Sequence, residues 1–219
     1  MEYAYLMKSA TLDDTLAAVS LLLNTESCSR VSGTAVYRRW KKDDLTGAPN
    51  SVETVEFVVD NELDSWSETH RSIGQTRRYS MDSGQDLVDV DGASIAPKPS
   101  SDFDHWPLLI KMLRPVRFGI WGRPGDKWRM AGAEPEEHGI LTRFVRDESP
   151  ATAELFIDSH FSLPIRWTEV HPLGPDRNQG AKREVEITAI HVPKAWKRRM
   201  GIDMSEAGAF EASFVSDEQ

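Results

Sequence analysis

The sequence predicts an α+β protein in which one long antiparallel sheet of about ten or eleven strands is accompanied by an N-terminal helix and a short central helix. Three observations lead there. Helical spacing of apolar residues occurs in only two places, near residues 11–24 and 104–113. Almost everything between Ser32 and Val192 is otherwise broken into strand-length segments rich in β-branched and aromatic residues, separated by turn formers. Helices do not alternate with strands, so parallel βαβ units are not indicated.

The first helix opens at Thr11, whose hydroxyl suits an N-cap, with Asp13 and Asp14 at the positive end of the helix dipole. Leu12, Leu16, Val19 and Leu23 recur at helical spacing and predict the stripe on which the helix packs, ending near Asn24. Segments 34–40, 52–59, 65–73 and 75–81 follow as consecutive antiparallel strands. In the second, Val55, Phe57 and Val59 alternate with Thr54 and Glu56, the pattern of a sheet with one buried and one wet face. Asp91-Gly92 between 87–90 and 93–96 predicts a tight hairpin. After Pro97 to Ser101 comes the second helix, from Asp104 to Leu113, with Pro107 in its first turn and Trp106, Leu109, Ile110 and Leu113 on one stripe.

Strands are then expected at 116–121 and 127–131, flanking the turn Arg123-Pro124-Gly125-Asp126, and at 140–146, 153–158, 163–170 and 183–192. In the last, Val185, Ile187 and Ala189 point inward and Glu184, Glu186 and Thr188 outward. The stretch 97–101 is the best linker candidate, yet neither side of it makes a separate fold. The chain therefore reads as one domain over residues 1–207, with a small, acidic, frayed tail at 208–219.

Composition narrows the function classes. With 39% hydrophobic residues, seven Trp and eight Phe, the chain has the apolar content for a core, and at this length it can bury roughly 70% of its unfolded surface. The longest nearly apolar run, 17–23, is far too short to span a bilayer. Against 26 Lys plus Arg stand 35 Asp plus Glu, a net charge of -9 that repels phosphate backbones. The basic clusters Arg38-Arg39, Arg77-Arg78 and Lys197 to Arg199 are scattered, and neighbours in a strand point to opposite faces, so nucleic acid is not an expected partner. Cys28 is a single cysteine, read as a buried small hydrophobe. Thr25, Glu26 and Ser27 before it do not form the small apolar tripeptide of a lipid-modified cysteine, and the amino terminus does not read as a secretory signal. The expected location is the cell envelope or periplasm if a leader has been removed, and the cytoplasm if the sequence is complete.

The order of elements, together with two hairpins, resembles the bacterial LolA-like and LppX-like group, including the RseB amino-terminal domain. One hairpin is Leu155-Phe156-Ile157-Asp158, a short turn, then Leu163-Pro164-Ile165-Arg166-Trp167; the other is Val88-Asp89-Val90-Asp91-Gly92 before the second helix. The resemblance implies a curved sheet, an open half-barrel wrapped around both helices. It also implies an apolar hollow that holds an acyl chain, a lipid or a lipoprotein's anchor, with a lipoprotein or other envelope protein as a further partner. The candidate lining residues are Phe57, Trp66, Trp106 and Ile110, with Trp121, Trp167 and Ile187. Trp40, Trp66, Trp121, Trp128 and Trp167 equally suit a core filled by side chains, and Glu68, His70 and Arg77 bring more charge than a lipid slot needs.

Catalytic and metal motifs are weak beside this binding role. Asp82-Ser83-Gly84 matches the tripeptide of aspartic proteases but lacks a second copy, and a turn explains it better. His138, after Glu134, Glu136 and Glu137, is the nearest approach to a metal cluster and reads as a solvated acidic loop. Asp102, Asp104 and His105 read as helix capping. No nucleophile elbow, phosphate loop or dinucleotide fingerprint occurs, so no cofactor, metal or catalytic residue is assigned. A hydrolase using carboxylates at Asp82 or the Glu136 to His138 loop is the enzymatic alternative. A module whose sheet edge docks another chain is the structural one.

Overall fold

The computed structural model describes residues 12–42, 45–80, 85–90, 93–95, 106–147, 149–172, 180–194 and 196. Helix α1 spans Leu12–Thr25 and is followed by β1 (Arg30–Lys42), β2 (Ser51–Asp60) and β3 (Ser65–His70). Next come β4 (Gln75–Ser80), β5 (Gln85–Val90) and β6 (Ala93–Ile95). Helix α2 (Leu108–Leu113) precedes β7 (Arg129–Glu136), β8 (Gly139–Arg146), β9 (Ser149–Asp158), β10 (Leu163–His171) and β11 (Gly180–His191). All eleven strands hydrogen-bond in one antiparallel sheet of order β6-β5-β4-β3-β2-β1-β11-β10-β9-β8-β7.

The order follows from the chain's local habits. β1 to β6 form a meander that grows outward from β1, and β7 to β11 a second one that grows inward to β11; β1 and β11 join them, with Tyr37 opposite Val185. Strand β6 thus lies at one edge and β7 at the other, so the connection that carries α2 crosses the sheet. The crossing can be followed through its contacts. Trp106 packs on Trp66 of β3 and Tyr79 of β4, Leu109 bonds Tyr37 of β1, and α2 packs on β10.

One face is buried and the other wet, as an antiparallel sheet permits. Val55, Phe57 and Val59 are buried at alternate positions, and Val31, Ala35, Trp66, Leu155, Ile157, Trp167, Val185 and Ile187 join them in one core with α2. The opposite face carries polar pairs: Arg38 contacts Glu184 and Glu186 at 2.7 Å each, and Thr34 meets Thr188. A bulge where β1 meets β11 at Thr34/Ala35 interrupts the alternation expected through Thr188 and Ala189.

Several expectations are corrected. The Leu12, Leu16 and Leu23 stripe does not face the core; these side chains are 73%, 56% and 55% exposed, and Ala18, Leu22 and Thr25 are buried instead. Nearly every side of this helix carries apolar residues, so periodicity alone does not select its buried face. The smaller Ala18 and Thr25 let it approach β7, β8 and β10, and Thr25 satisfies its hydroxyl by donating to the Leu21 carbonyl at 3.1 Å. The strand expected over 116–121 is absent: Pro115–Arg117 is a turn of 3-10 helix, and Trp121 forms only an isolated bridge with Arg129. Proline, with φ fixed and no N–H, starts a helical turn more readily than a ladder. The second helix begins at Leu108 with Pro107 as its cap, and β3 stops at His70, giving way to a 3-10 turn at Arg71–Ile73. Cys28 is buried, as expected, and its thiol donates to the Arg30 carbonyl at 3.5 Å. No helix among the described residues is long and apolar enough to cross a membrane.

Thr11, the Asp82-Ser83-Gly84 tripeptide, the Asp91-Gly92 turn and 97–101 lie outside the described residues, as do Asp102, Asp104, His105, Lys197 to Arg199 and 208–219. The backbone pairing of Val90 with Ala93 nonetheless brackets the Asp91-Gly92 position.

Candidate ligand-binding site

Where the crossing segment passes β10 and β11, it leaves a cavity of about 680 Å³. Three aromatic side chains stand in its mostly polar wall, Trp106 ahead of α2 and Phe118 and Trp128 on either side of a folded loop. The sequence dictates that loop. Pro124 and Gly125 occupy the two central positions of a turn closed by the Asp126 N–H to the Arg123 carbonyl at 2.9 Å, and Gly125 takes a φ of 91°. The Asp126 carboxylate accepts from the Arg123 backbone N–H at 3.0 Å and from its Nε at 3.1 Å. Trp128 N–H reaches the Gly119 carbonyl at 3.0 Å, and the Trp121 indole donates to the Pro115 carbonyl at 2.8 Å. The two indoles of the wall are held from behind. Trp106 has Trp66 at 5.7 Å and Tyr79 at 5.1 Å, with the Arg114 and Arg117 guanidinium groups over its ring. Trp128 meets Trp167 at 5.9 Å.

The rim is charged. Lys111, Arg117, Arg123, Lys127 and Arg183 line the cavity together with Asp126 and Glu169, five cations against two carboxylates. Glu169 is 2% exposed; Arg183 Nε donates to it at 2.7 Å and His171 pairs with its other oxygen. Burial alone would raise its pKa, but the Arg183 and His171 contacts prevail and hold the carboxyl below its ordinary range. Arg117 shares Asp64 with the buried Arg114, which also bonds Asn61 and the Asp60 carbonyl. This network clamps the end of α2 to the β2–β3 turn.

Of the residues expected to line a hollow, Phe57, Trp66, Trp106, Ile110, Trp167 and Ile187 are buried in the common core, and Trp121 packs against it half-buried. Trp106 is the one that lines this cavity. Trp167 is fully buried among Phe118, Phe144 and Trp128, with ring centroids 4.7, 5.3 and 5.9 Å away. The indole N–H groups of Trp66 and Trp167 are buried without a hydrogen-bond partner. Glu68, His70 and Arg77 form a polar island on the buried face. Tyr37 donates to Glu68 at 2.7 Å, His70 lies 3.4 Å from Glu68 and 2.9 Å from Glu53, and Arg77 stands opposite Glu68 over the Trp66 ring.

The enzymatic candidates among the described residues do not line this cavity. Asp82 lies outside the described residues; Glu136, Glu137 and His138 are exposed at the β7–β8 turn, with His138 Nε2 3.8 Å from Glu137. No group of three metal-ligating side chains occurs among the described residues. Sequence reasoning missed the cationic rim. Its members come from α2, the loop after it, β10 and β11, and only the Glu169 and Arg183 pairing across β10 and β11 could have been anticipated from strand register.

No protein-family model and no curated protein sequence matches the chain. Solved structures do. The chain is similar to the lipoprotein LppX of Mycobacterium tuberculosis, at 14% identity over 82% of this chain and 96% of that one, with a TM-score of 0.42. It is also similar to MucB, solved in complex with the periplasmic part of MucA, at 15% identity, 82% and 56% coverage and a TM-score of 0.36. A LolA superfamily protein of Nitrosomonas europaea matches at 8% identity, 81% and 94% coverage and a TM-score of 0.37. Two of these, LppX and the LolA superfamily protein, carry the names of the group that the hairpin motifs resemble.

Proposed function

We propose that this protein is a non-catalytic binding protein of the cell envelope that holds an acyl chain, a lipid or a lipoprotein anchor between its sheet and the segment crossing it. Residues 1–207 act as one domain. The observation that carries this reading is the cavity of about 680 Å³, where the Trp106 and Trp128 indoles stand among charged residues and continue into the core holding the other candidate lining residues. That volume falls in the range of small-molecule sites, and apolar burial needs few polar contacts to hold a chain.

Neutral alkyl maltosides of increasing chain length, titrated below their micelle concentrations against tryptophan fluorescence, test the reading. Affinity should rise with each methylene, up to about fourfold per group at roughly 0.8 kcal/mol. Affinity that stays flat from eight to fourteen carbons would remove the acyl-chain reading.

A further inference from the structure

Helix α1 turns three leucines outward. Leu12, Leu16 and Leu23 are 73%, 56% and 55% exposed, while Ala18, Leu22 and Thr25 hold the helix to the sheet. Exposed leucines scattered singly are ordinary, but these are in register. With the half-buried Val19 they follow one another at intervals of four, three and four residues, the a/d spacing of a coiled-coil seam. At that spacing all four lie within about 60° of one another around the helix axis.

The chemistry of the helix narrows what covers this seam. Its only charges are Asp13 and Asp14 in the first turn. A helix that lies on a membrane surface carries Lys and Arg on its polar face, so this one, in a chain of net charge -9, is not built for an anionic bilayer. A second copy fits, because the spacing reads the same in both directions and a surface that meets its own copy across a two-fold axis must be complementary to itself. In an antiparallel pair each Leu12 meets the second copy's Leu23, and each Leu16 meets its Val19. The four carboxylates then sit two at each end, whereas parallel helices would crowd them together. Val116, 44% exposed in the 3-10 turn that packs on α1, adds apolar surface beside the helix end, where its N–H donates to Glu26 at 3.1 Å.

We infer that this protein pairs with a second copy of itself through two antiparallel α1 helices, seamed by Leu12, Leu16, Val19 and Leu23. A helix of 14 residues is about 21 Å long, so a contact along it buries less than the roughly 1,200 Å² of a standard interface, and the dimer is a weak one.

Sedimentation velocity on the full chain, from about 1 to 500 μM, should show the mean mass rising from that of one chain toward that of two, with a Kd of about 10–100 μM. The double variant Leu16→Gln and Leu23→Gln should weaken pairing about tenfold or more while its thermal melt stays level, since both side chains are exposed. Leu63→Gln, at an equally exposed leucine of the β2–β3 turn, should leave pairing unchanged. Ser20→Lys places a cation against the second copy's Asp13 in the antiparallel pair and should tighten it about threefold at low salt. A chain that stays monomeric over the whole range overturns the inference, and co-sedimentation of that monomer with phosphatidylcholine vesicles would give the seam to a membrane. A dimer indifferent to the Leu16 and Leu23 changes, or equally weakened by Leu63→Gln, overturns it by placing the contact elsewhere. A Ser20→Lys dimer no tighter than the wild type overturns the antiparallel arrangement.

Discussion

The Tyr37 hydroxyl donates to the Glu68 carboxylate at 2.7 Å and accepts the Leu109 N–H at 3.2 Å, so one oxygen connects β1, β3 and the first turn of α2. Burial, followed by the charge of Glu68, pushes its pKa well above the ordinary tyrosine value and keeps the donated proton in place. Tyr37→Phe should therefore cost about 1–3 kcal/mol, because it leaves Glu68, 2% exposed, short of a donor. Urea unfolding measures this, and a loss within error of zero would mean the hydroxyl is not a tie. His70 belongs to the same island. Its hydrogen bond to Glu68 raises its pKa above 6.5; burial opposes the shift and Glu53 adds to it. A folded-state value above the unfolded one means that the stabilisation is complete below pH 6.5 and is lost as pH rises through the raised value. Thermal melts should show a larger gap between wild type and His70→Asn near about pH 6 than near about pH 8.5. A gap independent of pH would show that His70 carries no charge in the fold.

At the scale of elements, the β1–β11 pair depends on a close approach. A Cβ added at Gly33 would sit 1.9 Å from the Ala189 carbonyl oxygen, beside the bulge at Thr34/Ala35. Gly33→Ala should destabilise by about 3 kcal/mol, whereas Gly47→Ala, with open space around it, should be close to neutral by the same denaturant measurement. Similar losses at both positions would refute the steric argument. The strands were legible because alternation such as Val55, Phe57 and Val59 maps directly onto a half-buried sheet. The packing face of α1 was not, since Leu12, Leu16 and Leu23 and the buried Ala18 and Leu22 are all apolar and only the tertiary fit chooses between them. The turn at Pro115–Arg117 is hidden in the sequence because Val116, Phe118 and Ile120 have strand composition, while the preceding proline governs the backbone. The cationic rim was illegible for another reason: Lys111 and Arg183 are neighbours of one cavity only after the crossing segment has been laid over β10 and β11.

For the whole molecule, the strand order makes two meanders whose internal pairings are all between sequence neighbours, joined by one long-range pair. Each half can form its hairpins locally, and the β1–β11 closure comes at a higher entropic cost. Residues 1–100 and 101–219 co-expressed as separate chains should therefore reassemble through that pair, read out by co-purification. Halves that never associate would show that the covalent crossing is needed to bring β1 to β11.

The register of that central pair also has a mechanical meaning. Ser32, near the start of β1, lies opposite His191, the last residue of β11, so the chain enters and leaves the sheet at the same end of the same ladder. A tether pulling on Arg30 and His191 would load the rungs one after another, as a zipper is drawn, and never all at once in shear. Such a joint parts under small forces while the two flanking meanders stay whole, which makes the middle of this sheet its weakest line against traction.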